Sequence, residues 1–293
     1  MATGTQRPSR VGMALSLACL LLGCAHTQEF GPQARCVLPE QVSTAALVAH
    51  VNQNVARVQS WRTLNAEISS PDLPFRVAAS VAVEAPRNFR LVVRSPLGPE
   101  VDLGSNQQHY WFWSRQDESK RIYLASHESD TAAQPPSGMP FQPEWIMEAM
   151  GVIALDPARV QEVSRDPQAR TVTVAEDRLS PQGDPVRKLT VVDLCHGLVR
   201  EHALVDAQGA LIARAQLLDP VRDKASGGVI PSRIHMVWPQ ARIDMTMALR
   251  SVEVNTPISR STFTMQQYKG CEVFQVGGDQ GLPNGTFGST TGP

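Results

Sequence analysis

The apolar positions of this chain change period once. Residues 43–58 (STAALVAHVNQNVARV) place Val48, Val51, Val55 and Val58 at intervals of three and four, with Asn52, Asn54 and Arg57 between them. That stripe predicts one amphipathic helix laid over a core. From Trp61 onward the period falls to two. Phe75, Val77, Ala79, Val81 and Val83 share one face of a predicted strand, with Arg76 and Ser80 on the other. Phe89, Leu91 and Val93 then alternate with Arg90 and Arg94, and Val92 breaks the polar face. Residues 107–113 and 121–124 continue the series as antiparallel strands joined by short turns.

A Pro- and Ser-rich break at 128–140 ends this half. Residues 143–150 (PEWIMEAM) predict a short helix, with Pro143 suited to its first turn and Gly151 to its end. Strands resume at 171–174, 186–195, 198–205 and 210–218, the last two closed by a turn through Asp206-Ala-Gln-Gly209. Residues 230–238 and 242–249 form the final pair, with Ile243, Met245, Met247 and Leu249 alternating against Arg242, Asp244 and Thr246. Strand after strand with one apolar face predicts a mainly β fold with α: an incomplete, strongly curved antiparallel barrel whose concave side is covered by two or three helices. The tail at 277–293 (GGDQGLPNGTFGSTTGP) has no periodicity and many glycines, and is expected to be disordered.

One loop departs from this economy. At Ser95-Pro-Leu-Gly-Pro99 two prolines and a glycine surround a single leucine. Leu97 is either held out on a stiff turn by Pro96 and Gly98 or caps one end of the core.

The N-terminus sets the compartment. Arg7 and Arg10 precede a thirteen-residue apolar run, Val11 to Gly23, too short for a hydrocarbon core that needs ~20 residues, so it reads as an export signal. The run ends in Leu21-Leu22-Gly23-Cys24, similar to the bacterial lipobox, although Leu22 is bulkier than that pattern usually has. The similarity implies acylation of Cys24 and a lipid anchor; Cys19 is the weaker candidate, with Ser16 where the box has leucine. The expected layout is a lipoprotein signal peptide at 1–23, an anchor linker at 24–38, one folded domain at 39–276 and the tail.

A net charge of -1 gives no electrostatic case for nucleic acid, and 19% charged residues is ordinary for a folded chain. Cys36, Cys195 and Cys271 remain after Cys24, so at least one is unpaired or pairs between chains. Cys36 and Cys271 flank the predicted core and are a candidate disulfide. Seven histidines prompt a search for catalysis. In Asp193-Leu-Cys-His196, strand alternation would turn the cysteine and histidine to opposite faces, which disfavours a shared metal or a Cys-His nucleophile. No Cys-x-x-Cys, His-Glu-x-x-His, Gly-x-Ser-x-Gly or phosphate-cradling glycine loop occurs. No enzyme, metal or cofactor is expected.

Phe89-Arg90-Leu91 running into Pro96-Leu97-Gly98, the later segment from Ile230-Pro-Ser-Arg-Ile234 to Val254, and the lipobox together resemble the LolB family of outer-membrane lipoprotein receptors. The resemblance implies a half-barrel with helices as a lid over an apolar cavity. That cavity would accept the acyl chains of lipoproteins from a LolA-like periplasmic carrier of the same fold. Leu97 would help hand the cargo to the membrane. Ala25, in place of a retention aspartate after Cys24, points to the periplasmic face of the outer membrane. Candidate cavity residues are Phe89, Leu91, Val93, Met245, Met247 and Leu249, methionine being suited to an adaptable wall. The sequence departs from the family at Ala85, where the carrier has a basic residue. Trp111 and Trp113, with His109, have no counterpart and read as core. The alternative is a structural envelope lipoprotein or interaction scaffold with a solid core.

Overall fold

The computed structural model describes residues 35–127, 143–180 and 183–276, together with Met1, Phe30 and Gly31. The leader, Cys24, the 128–140 break and the 277–293 tail therefore lie outside the described residues. The chain divides into residues 1–34 and 35–293, and every element below belongs to the second unit.

Helix α1 (Thr44–Arg57) starts at Ser43, whose Oγ accepts from the Ala46 amide at 3.3 Å, and it buries Leu47, Val48 and Val51 as its stripe predicts. Six strands follow: β1 (Ser60–Ser69), β2 (Val77–Glu84), β3 (Asn88–Ser95), β4 (Gly98–Ser105), β5 (His109–Ser114) and β6 (Arg121–Ser126). Helix α2 (Pro143–Ala149) leads to a second run: β7 (Val160–Asp166), β8 (Thr171–Leu179), β9 (Pro185–Asp193), β10 (Leu198–Asp206), β11 (Leu211–Arg222), β12 (Val229–Trp238) and β13 (Ile243–Arg250). Two short strands, β14 (Glu253–Val254) and β15 (Glu272–Gln275), complete the chain.

All of these strands belong to one sheet, ordered β15-β6-β5-β4-β3-β2-β1-β13-β12-β11-β10-β9-β8-β7, with β14 paired to β1. The two runs meet where β1 pairs with β13, Ala66 opposite Leu249 and Ile68 opposite Met247. Pairing is antiparallel except for β15, which lies parallel to β6. The end strands β7 and β15 do not pair with each other, so the sheet curves without closing. Its inner face carries the main core: Trp61, Val81, Val83, Phe89, Leu91, Ile234, Met236, Met247 and Leu249 pack with Trp145, Ile146, Met147 and Met150 of α2 and its C-terminal end. Trp145 and Trp238 meet edge-on at 5.2 Å.

A curved sheet also has an outer face, and over β3–β6 that face is covered by residues 260–271. Asp102, fully buried, accepts from Arg90 at 2.8 and 3.1 Å, from the Tyr268 hydroxyl at 2.7 Å and from Trp111 Nε1 at 3.3 Å. Arg90 also donates to the carbonyls of Thr262 and Thr264. Trp113 stacks flat on Tyr268 at 3.6 Å. The tryptophan ladder is therefore core, but core of the outer face. The same cover accounts for Val92, buried against the alternation beside Asp102. Gly104 makes room: a Cβ there would stand 2.1 Å from the Trp111 ring.

Four expectations are revised. Cys36 is bonded to Cys195, not to Cys271. The segment entering α1 runs along the end of β9, Val37 and Leu38 donating to the carbonyls of Cys195 and Leu194 at 3.2 and 3.0 Å. Cys271 is a free thiol that accepts from Trp113 Nε1 on the other arm of the sheet. The chain ends thus lie on different arms, which precludes a terminal staple. Cys195 and His196 sit in the turn after β9 rather than on a strand, and His196 Nδ1 lies 2.8 Å from Asp193 Oδ2. Phe75 precedes β2 and is exposed rather than joining the inward face. Strand β7 had no apolar alternation to reveal it, because it is a solvated edge.

Asp102→Ala would remove the carboxylate that Arg90 pairs with and leave the buried Trp111 Nε1 and the half-buried Tyr268 hydroxyl without their acceptor. A loss of about 3–5 kcal/mol in urea unfolding is expected, against a near-neutral result if the outer cover were a loose attachment.

Candidate functional site

The inner face is not filled everywhere. Between the second half of α1, the end of α2 and strands β10–β12 lies a small cleft of about 60 Å³, well short of the ~300–1,000 Å³ typical of ligand sites. Its apolar wall comes from Val51, Val55, Ile153, Val199, Leu217 and Ile230.

Helix α1 is held over this space by two amides. Asn52 donates to the Leu155 carbonyl at 2.8 Å and accepts from the Leu155 amide at 2.9 Å. Asn54 does the same with Val229, both at 2.8 Å. Each asparagine thereby satisfies a backbone pair that no strand neighbour reaches. The helix is tied across the gap without filling it.

The cleft has one polar corner, to which Glu148 and His202 contribute. Glu148 on α2 meets Lys188 Nζ on β9 at 2.8 Å and Arg178 Nη2 on β8 at 2.7 Å, and Arg178 also holds Glu176 at 2.7 Å. Two carboxylates and two cations balance, as buried charges must. Burial holds the Lys188 ammonium below its ordinary value, with Glu148 opposing that shift. His202 Nδ1 lies 3.1 Å from Thr190 Oγ1. Burial first, then Lys188 and Arg178, push the His202 imidazole well below its ordinary value near 6.5, so it is neutral at physiological pH. Arg200, at the outer side, is committed to Asp193 at 2.6 and 3.0 Å.

The residues expected to line a cavity are gathered on the inner face, as alternation implied, but as packed core. Phe89, Leu91, Met247 and Leu249 are buried in the main cluster, with Val93 and Met245 packed against its edge. None of the six lines the cleft. The residues that do were passed over because they come from five separate segments, several of them breaks in a pattern: Asn54 in a valine stripe, Pro220 and Pro231 in strands, Gly151 and Gly197 in turns. Those interruptions were the available signal.

Leu97 stands at the tip of the β3–β4 turn, 81% exposed. Its amide donates to Ser95 Oγ at 3.1 Å, and Arg115 braces the turn from β5's end through the carbonyls of Leu97 at 3.1 Å and Pro99 at 2.9 Å. Gly98 adopts φ +114°, a backbone state that disfavours other residues. Register places this turn at the opposite end of the strands from the cleft. The tip belongs with the start of β2 and the end of β12, whereas the cleft takes the start of β10 and of β12.

A single open, mainly antiparallel sheet, curved around two helices with an apolar space beneath them, is a fold this chain shares with solved structures. No protein-family model matches the sequence, and no curated protein is significantly similar to it. The structural likeness is one of fold. A domain from Vibrio parahaemolyticus, described as an outer membrane lipoprotein-sorting protein, superposes with a TM-score of 0.51 at 11% identity over 75% of this chain and 97% of that one. A DUF1329 family protein from Desulfovibrio piger gives 0.51 at 9% identity, over 75% and 95%. A LolA superfamily protein from Nitrosomonas europaea gives 0.47 at 10% identity, over 76% and 98%.

His202 binds a proton less readily in the folded chain than in the unfolded one. Between the depressed value and about 6.5 the unfolded chain holds more protons, so stability is lost as pH falls through that window. His202→Gln keeps a partner for Thr190 and cannot titrate. Urea melts are expected to show a shallower decline for the variant below about pH 6.5. His50, lowered by burial and Arg57, keeps part of the slope; identical slopes for variant and parent would mean that His202 protonates freely in place.

Proposed function

We propose that this chain is a LolB-like outer-membrane lipoprotein that binds acyl chains, or the lipoproteins that carry them, and passes them to the membrane. The observation that carries this reading is the apolar cleft beneath two helices, in a fold shared with a lipoprotein-sorting domain. Binding makes and breaks no bond. Its driving force is burial, at ~25 cal/mol per Å² of chain removed from water, and the few polar groups of the cleft are already engaged or neutral, which leaves the cargo free to depart. The anchor is Cys24 after removal of residues 1–23, on a linker to residue 38, with the tail from 277 left outside the folded domain. A LolA-like carrier is the donor. Leu97 enters the bilayer; because its turn lies away from the cleft, it is a foothold for the domain and not a contact for the cargo.

The packed state of Phe89, Leu91, Met247 and Leu249 favours a second reading, an envelope scaffold whose core is solid. Native mass spectrometry of the full chain after incubation with acyl glycerides separates the two. Uptake is expected, and Val55→Trp, which fills the cleft from α1, is expected to weaken it about tenfold or more, equivalent to ~1.4 kcal/mol. No uptake by the parent chain leaves the scaffold. Leu97→Glu is expected to keep uptake and unfolding within about 0.5 kcal/mol of the parent while delivery to liposomes is lost. A larger loss of stability would instead assign Leu97 to the core.

A further inference from the structure

The turn that precedes β2 repeats, in different letters, what the Leu97 turn does. Its sequence, Pro71-Asp-Leu-Pro-Phe75, sets two prolines around Leu73, with Phe75 directly after the second, as Pro96 and Pro99 flank Leu97. Both large side chains are exposed, Phe75 at 66% and Leu73 at 40%. The turn is fixed at its base, where the Leu73 amide donates to the Ser70 carbonyl at 3.1 Å and the Asp72 amide to Ser70 Oγ. Prolines here keep the apolar groups from folding back, since φ is set at both.

The two turns are neighbours. Strand β2 pairs with β3, with Ala78 opposite Arg94 and Ala79 opposite Val93, so the chain entering β2 and the chain leaving β3 emerge side by side at one end of the sheet. Arginines stand behind the tips: Arg76, mostly exposed beside Glu67, Arg94 bonded to Ser80 Oγ at 2.7 Å, and Arg115 beside Glu100. Asp72 and Glu100 share the same end of the sheet.

We propose that the β1–β2 turn is a second membrane-inserting tip, and that Leu73, Phe75 and Leu97 together form one edge that seats the domain on a phospholipid surface. This rests on the reading of Leu97 as a bilayer contact and extends it to a surface with two points of attachment. A lipid surface fits better than a protein. Even at the ~150–250 Å² of the largest side chains, three of them fall short of the ~800 Å² per partner of a stable protein interface. In a bilayer, by contrast, each aliphatic or aromatic group that reaches the acyl region contributes independently. Arginines set back from the tips are placed where phosphates would lie, their stems beside the apolar groups and their heads at headgroup level. Two tips also fix orientation, which one cannot.

The five native tryptophans are all buried, out of contact with a quencher in the acyl chains, so the parent supplies a constant background from which the signal of one added at a tip is read by difference. The test uses the full chain in vesicles of phosphatidylethanolamine and phosphatidylglycerol containing lipids brominated on their acyl chains. Phe75→Trp and Leu97→Trp are each read against the parent protein. Leu64→Trp, an equally exposed position in the bulge of β1, is the control. Emission from both tip tryptophans is expected to shift to the blue and be quenched to a similar extent, with Leu64→Trp unchanged. Quenching at position 97 alone overturns the second tip and leaves the Leu97 reading standing. Quenching at neither tip overturns both. Equal quenching at all three positions overturns the proposed edge, because the contact would then have no preferred face.

Discussion

The cleft depends on a substitution of one kind of bond for another. Helices normally sit on sheets by interdigitating side chains at close-packed density, and the first half of α1 does this with Leu47 and Val48. Further along, Asn52 and Asn54 take over, each holding both backbone groups of a single residue across the gap. An amide pair fixes distance without requiring the volume between its anchors to be occupied. Helix α1 is thereby tied down at its open end as well as at its packed end, and Val55 and Ile230 are left facing a space.

Helix α2 is positioned by another means. Its apolar residues enter the main core, while Glu148 is met by Arg178 of β8 and Lys188 of β9. Buried ion pairs add little net stability over apolar packing, but they penalise any arrangement that separates them. The short helix therefore has one register over the sheet. His202 beside this cluster remains neutral because burial, and then the two cations, disfavour its charged form, so it adds no charge to the deep end of the cleft.

Much of the architecture was legible because each strand needed only one apolar face. Alternation in β2, β3 and β13 and the stripe of α1 declare their buried sides directly. Alternation stops being informative where the second face is also covered. Val92 and the Trp111–Trp113 ladder broke the expected pattern because residues 260–271 cross above them, a long-range contact that leaves no local period. Edge strand β7 was silent for the converse reason, having little to bury. The site was the least legible part. Phe89 and Met247 were correctly read as inward-facing, yet facing inward is shared by cavity wall and solid core, and the difference lies in how far α1 and α2 stand from the sheet. The cysteine pairing failed likewise: proximity along the sequence to the domain ends said nothing about which arm of the sheet each end follows.

The bond between Cys36 and Cys195 determines how the domain bears mechanical load. A pull on the chain from its N-terminal side enters at Cys36 and crosses through sulfur to Cys195 in the turn after β9. Helix α1, which begins a few residues later, lies outside that line of force. The element that roofs the cleft is thus insulated from tension applied upstream of Cys36, and such tension need not alter the shape of the space beneath it.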